Sequence, residues 1–187
     1  MNALLTSCRL VIATMLICVA GYATVIWGVG HILTPWTAQG SLITASDGTV
    51  IGSRLVAQDF TEAKYFWPRP SAVDYDGAGA GGSNKSPASA DLTVRAKEIV
   101  TKYGATADNP LPAELAAASG AGLDPHISVD AARYQAVRVA KARQLPLPEV
   151  QTIIDMHASS PGGFLTLGRL VNVLEINLAL DRAKEAP

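Results

Sequence analysis

From Leu10 to Ile32 the chain reads LVIATMLICVAGYATVIWGVGHI and carries no formal charge at neutral pH. After Arg9 the next acidic or basic residue is Asp47. About 20 apolar residues, rising about 1.5 Å each, cross a hydrocarbon core roughly 30 Å thick. A helix satisfies its own backbone hydrogen bonds, which lipid cannot do. Thr14 and Thr24 fit such a helix, because their hydroxyls bond back to the preceding turn. Tyr22, Trp27 and Trp36 are interface candidates, and Pro35 marks the expected helix end. A cleaved signal peptide is the competing reading, but its apolar region is shorter, about 7–15 residues. Gly21-Tyr22-Ala23 is a poor cleavage site, and the run continues through Val25, Ile26 and Val29. Cys18 follows Ile17, where a lipid-modified cysteine needs a small residue.

Of the 15 Lys and Arg residues, only Arg9 precedes the run, and the next is Arg54. Positive charge stays cytoplasmic, so the N-terminus is expected inside and the remainder outside. The expected organisation is a cytoplasmic segment 1–9, a transmembrane helix 10–32, a linker 33–40 and one extracytoplasmic α+β domain 41–187. Roughly 150 residues beyond the span suffice for a real core. Acidic and basic side chains nearly balance, 16 against 15, so nothing suggests a nucleic-acid surface. Both cysteines, Cys8 and Cys18, lie at or in the span, which leaves the domain without a disulfide. Gly21, Gly28 and Gly30 offer small faces on the span for close packing by another helix.

Ser46-Asp47-Gly48 between the β-prone runs Ser41–Thr44 and Thr49–Gly52 predicts a hairpin. Leu55, Val56 and Phe60 suggest a third short element. Pro68 and Pro70 around Arg69 make that stretch extended and irregular. Residues 76–87 form a Gly/Ala/Ser-rich loop that is not a phosphate-binding loop, since Ser83 and Asn84 stand where Lys and Ser/Thr are required. Leu92, Ala96, Ile99, Val100 and Tyr103 recur at helical spacing, with Ser89 or Asp91 as cap and Gly104 as stop. Leu115–Ala118 is ambiguous between strand and helix. Ser119–Ser128 reads as a second irregular loop, and Ser128 caps a helix that buries Ala132, Ala136, Val139 and Ala140. Arg133, Arg138, Lys141 and Arg143 are expected on or near its wet side. Pro148 starts another helix with the stripe Val150, Ile153, Ile154 and His157. Leu170–Ala183 reads as a final helix on the core.

Chemistry-bearing constellations are sparse. Asp124 and His126 are close, but a zinc site needs three or four ligands, so no metal site is expected. Ser119 has no nucleophile elbow around it. Arg69, Asn84 and Asp124 are expected to hydrogen-bond across the two irregular loops, as structural rather than catalytic groups. Gln135 falls near the edge of the buried stripe, where its amide can meet a loop such as Ser119–Ser128 or a ligand.

Several words in a fixed order carry a resemblance. They are Gly40-Ser41-Leu42-Ile43, Gly52-Ser53, Tyr65-Phe66, Arg69-Pro70-Ser71-Ala72, Gly81-Gly82-Ser83-Asn84 and Ala118-Ser119-Gly120. They continue with Gly122-Leu123-Asp124-Pro125-His126-Ile127-Ser128, Gln135, Arg138-Val139-Ala140, Ala142-Arg143 and Val171-Asn172-Val173-Leu174-Glu175. The chain resembles the C subunits of bacterial Kdp potassium-transporting ATPases over nearly its whole length. Ala116-Ala117 and Lys85 depart from the usual pattern. The resemblance implies an accessory, non-catalytic subunit of an ATP-driven potassium uptake system in the cytoplasmic (inner) membrane. The implied partners are a channel-like potassium-selecting subunit, a P-type ATPase subunit and a small single-span subunit. It also implies a catalytic chaperone that raises the ATP affinity of the ATPase subunit, with Gln135 as nucleotide-contact candidate. No cofactor is expected to be covalently bound; ATP is met through the complex, and potassium is the transported ion. An exported binding module acting without the pump is the alternative.

Overall fold

A computed structural model describes residues 2–45, 47–165 and 168–185. Met1 and residues 186–187 of the expected segments, and Ser46 of the expected turn, lie outside the described residues. The chain divides into two compact units with the boundary between Ile51 and Gly52.

The first unit begins with a helix over Asn2–Leu33, long and apolar enough to cross a membrane. It comprises α1 (Asn2–Met15), a π-helical segment (Leu16–Gly21) and α2 (Tyr22–Leu33). Thr14 and Thr24 donate to the carbonyls of Leu10 and Ala20, so neither hydroxyl is left unpaired. The helix stops at Leu33, before Pro35. Pro35 instead opens a further turn, α3 (Pro35–Ala38), because proline at the first helical position loses no hydrogen bond.

Next, β1 (Leu42–Thr44) pairs with β2 (Val50–Ser53). Between them Gly48 takes a φ of 84°, and the Thr49 N–H donates to Asp47 Oδ1 at 2.9 Å. The sequence pattern therefore places this hairpin correctly. The third element expected near Leu55–Phe60 is absent; residues 54–89 hold no helix or strand. Side chains and distant loops serve this backbone instead, as where Ala57 N–H donates to the Leu123 carbonyl.

The second unit contains α4 (Ala90–Tyr103), α5 (Ala113–Ala116), β3 (His126–Ser128), α6 (Val129–Arg143), α7 (Leu147–His157), β4 (Ala158–Ser159), β5 (Leu170–Asn172) and α8 (Val173–Glu185). Strands order β3-β5-β4, both pairs antiparallel, with Ile127 and Ala158 opposite Val171. Two readings are corrected by this sheet. The last three residues of the supposed Ser119–Ser128 loop are strand. Leu170–Asn172 is strand rather than helix, and α8 starts only at Val173. Asn172 makes that switch, its Oδ1 accepting from the Glu175 N–H at 3.1 Å as helix-capping side chains do.

Ile127, Ala132, Ala136, Val139, Val150, Ile154, Val171, Ile176 and Leu180 form a continuous core with Phe66 and Leu115. The α6 stripe is the expected one. Arg143 departs from expectation, since it is buried rather than wet. Ser128 caps α6, accepting from the Ala131 N–H and donating to Glu114 on α5.

Candidate functional site

Two irregular segments meet along their length. The Ser119 N–H donates to the Pro70 carbonyl at 3.1 Å, and the Gly81 N–H donates to the Ala121 carbonyl at 2.8 Å. Arg69 reaches across, Nη2 donating to the Ala118 carbonyl and Nη1 lying 3.5 Å from Asp124 Oδ2. Asp124 also accepts from the His126 N–H and lies 3.1 Å from His126 Nδ1. Its hydrogen bonds with His126, and then the Arg69 charge, hold its carboxyl below the ordinary value of 3.8. Ser71 Oγ receives the N–H groups of Val73 and Tyr75. The Tyr75 hydroxyl donates to the Arg69 carbonyl, and burial pushes that phenol up to about 12. The Pro125 carbonyl accepts from the Val173 N–H at the start of α8.

Glycines permit this approach. A Cβ on Gly82 would lie 2.8 Å from the Gly120 carbonyl oxygen. Gly122 has a φ of 70°, and its Cβ would meet Val73 at 2.6 Å and the Gly81 carbonyl at 2.8 Å. Both positions therefore require glycine. Asn84 does not join the expected cross-loop network. It is exposed, with a φ of 49°, a turn conformation that asparagine tolerates. Ser83, half-buried, lines a cleft beside α4.

Gln135 is elsewhere, and not at an edge. It is 1% exposed. Its Oε1 accepts from the Trp67 N–H at 2.8 Å, and its Nε2 donates to the Trp67 carbonyl at 3.0 Å. The partner is thus Trp67, not the Ser119–Ser128 loop. Asn177 on α8 repeats the arrangement one residue earlier, accepting from the Phe66 N–H at 2.8 Å and donating to the Phe66 carbonyl at 3.0 Å. Two helices thereby serve an extended strap as neighbouring strands would. Arg138 completes the job, donating to the carbonyls of Ala63 and Tyr65 and to Gln135 Oε1. Arg143 Nε donates to the Lys64 carbonyl, and its Nη2 lies 2.9 Å from Asp181. The Arg138 guanidinium stacks 3.7 Å from the Trp67 ring centroid. Burial lowers it to about 10, so it stays charged at neutral pH.

On the apolar helix, Gly21 closes the π segment, and a Cβ there would lie 3.3 Å from the Leu16 carbonyl. A Cβ on Gly28 would meet nothing within 4 Å beyond its own helix, and one on Gly30 would meet Ala38 at 3.6 Å. Among the described residues no group of three or more His, Cys, Asp or Glu is placed to hold a metal ion.

The model of the family described as "KdpC: K+-transporting ATPase, c chain" matches residues 4–182. The chain belongs to the KdpC family. A potassium-transporting ATPase KdpC subunit of Parvibaculum lavamentivorans is 67% identical over 186 residues, covering 100% of both chains. One from Citrifermentans bemidjiense is 46% identical over 171 residues, covering 89% of this chain and 90% of the relative. One from Synechocystis is 46% identical over 169 residues, covering 86% and 87%.

In this KdpC-family chain the sequence reading missed Asn177, Arg143 and Glu114 as organising side chains. Asn177 carried a signal: it is a lone amide among Ile176, Leu178 and Leu180. A polar residue on an apolar helix face requires a buried partner. Nothing local announced that the partner is Phe66.

Proposed function

We propose that the chain is the accessory c chain of an ATP-driven potassium pump, working through contact with its partner subunits rather than through chemistry of its own. The observation that carries this is the full-length match to a relative named as a potassium-transporting ATPase KdpC subunit. In this reading residues 1–9 are cytoplasmic, 10–32 span the bilayer, 33–40 link, and the α+β domain from 41 lies outside. The distribution of charge supports it, with Arg9 alone on the short side and Arg54 the next basic residue. The partners are a channel-like potassium-selecting subunit, a P-type ATPase subunit and a small single-span subunit. Potassium is the cargo of the complex and ATP its fuel. Acting alone as an exported binding module finds no support.

The test is copurification from a membrane extract with every partner identified, followed by potassium-stimulated ATP hydrolysis with and without this chain. Partners and stimulated hydrolysis that both depend on the chain are expected; a chain recovered alone defeats the reading. For topology, Ser159→Cys in a Cys8→Ala, Cys18→Ala background is expected to react with an impermeant thiol reagent in intact spheroplasts. Labelling only after lysis reverses the orientation.

The chaperone effect on ATP affinity is assigned here to the assembled complex, with Gln135 as a structural residue. Its buried amide already meets the Trp67 backbone at 2.8 and 3.0 Å. Gln135→Ala is therefore expected to lower domain stability while leaving the ATP dependence of the surviving complex unchanged. A raised apparent KM for ATP with unchanged stability would assign Gln135 to the nucleotide.

A further inference from the structure

Helix α4 is seated unlike its neighbours. Its 14 residues include no buried side chain, whereas α6 buries Ala131, Ala132, Ala136, Val139 and more. The α4 apolar stripe is half covered: Leu92, Ala96 and Ile99 are partly exposed, and Val100 faces solvent. Clefts run beside it. One of about 270 Å³ is shared with Trp67 and Pro70, and one of about 350 Å³ with Ala113 and Ala117 of the α5 region. Arg95 lines both, and its Nε is buried with no hydrogen-bond partner among the described residues.

The ends of α4 are held differently. At the C-terminal end Tyr103 packs edge-on against Trp67 at 5.1 Å and near Tyr134 at 6.1 Å, while Lys102 lies over the Trp67 ring. Gly104 then closes the helix with a φ of 64°. At the N-terminal end, Lys85 pairs with Asp91, which ties the helix only to the loop leading into it. That loop is exposed from Asn84 to Ala88.

We propose that α4 is a hinged flap. It pivots where Tyr103 meets Trp67, and its first three turns lift from α5 while the sheet and α6–α8 stay closed. An apolar face left half wet and a buried donor left unpaired give those turns little reason to stay seated. Pressing the flap down is then a way for a docked partner subunit to change the domain, a consequence that rests on the function proposed above; the hinge itself does not.

Hydrogen exchange of the full chain in detergent micelles tests the flap without any partner. Amides of residues 93–100 are expected to exchange about 100-fold faster than those of 135–140, slowing toward Tyr103. Equal protection in the two helices overturns the proposal. Arg95→Leu removes the unpaired group and keeps an apolar side chain, so exchange at 93–100 is expected to slow while 135–140 is unchanged. Unchanged or faster exchange at 93–100 means that Arg95 does not loosen the helix, and also overturns it. Neither readout depends on pump assembly.

Discussion

Asn177 and Gln135 occupy positions where a leucine would pack, yet each holds the N–H and C=O of one strap residue. Replacing either by an apolar side chain strands two buried backbone groups, each costing about 1–3 kcal/mol. Asn177→Leu is therefore expected to lose about 2–4 kcal/mol in urea denaturation, despite its greater hydrophobicity. Asp124 makes a different forecast. Its folded pKa lies below the ordinary 3.8, so its contribution is complete above that value and disappears as pH falls through the folded pKa. The stability gap between the parent chain and Asp124→Asn should shrink as pH falls below about 4. A gap that does not shrink below that pH would contradict the assigned partners. Asp124 was legible in the sequence as a loop carboxylate beside His126. That Arg69 is its other partner, 55 positions away in the chain, was legible only as an expectation across two loops.

Among the elements, the helices with strong periodicity were readable, and α6, with its cap at Ser128 and its alanine stripe, came out as expected. The sheet was not. β3, β4 and β5 are two or three residues long, too short for an alternating pattern, and they exist because they pair with each other. The two-loop node follows the same logic, since its hydrogen bonds run between segments far apart in the chain, as from Ser119 to Pro70 and from Gly81 to Ala121. Glycine there is a contact requirement, which gives a paired test. Gly122→Ala imposes both a positive φ and a 2.6 Å approach to Val73, and should cost at least about 2 kcal/mol, read as a lowered Tm. Gly120→Ala meets nothing within 4 Å and should change Tm by a degree or two at most. Equal effects would show that the node is looser than its hydrogen bonds imply.

For the whole molecule, the family could be read from ordered words along the chain, whereas the manner of holding the strap could not. The apolar helix belongs to this scale, because its proposed role is assembly. A Cβ on Gly28 would meet nothing within 4 Å beyond its own helix, and the position is remote in sequence from the domain's core. Gly28→Leu should thus leave the domain's Tm unchanged and reduce recovery of the partner subunits in copurification. Full recovery would remove Gly28 from the packing face.

The strap also dictates when the domain can finish folding. Phe66 leaves the ribosome early, but Asn177, which holds its backbone, follows 111 residues later. Until α8 exists, the strap has no complete set of hydrogen-bond partners, and its aromatic side chains have no closed core to enter. Loop closure over so long a separation is slow. The N-terminal part must therefore wait, unsealed, for the last helix to be made. A chain truncated before α8 should accumulate as a protease-sensitive, incompletely packed species rather than as a smaller stable domain.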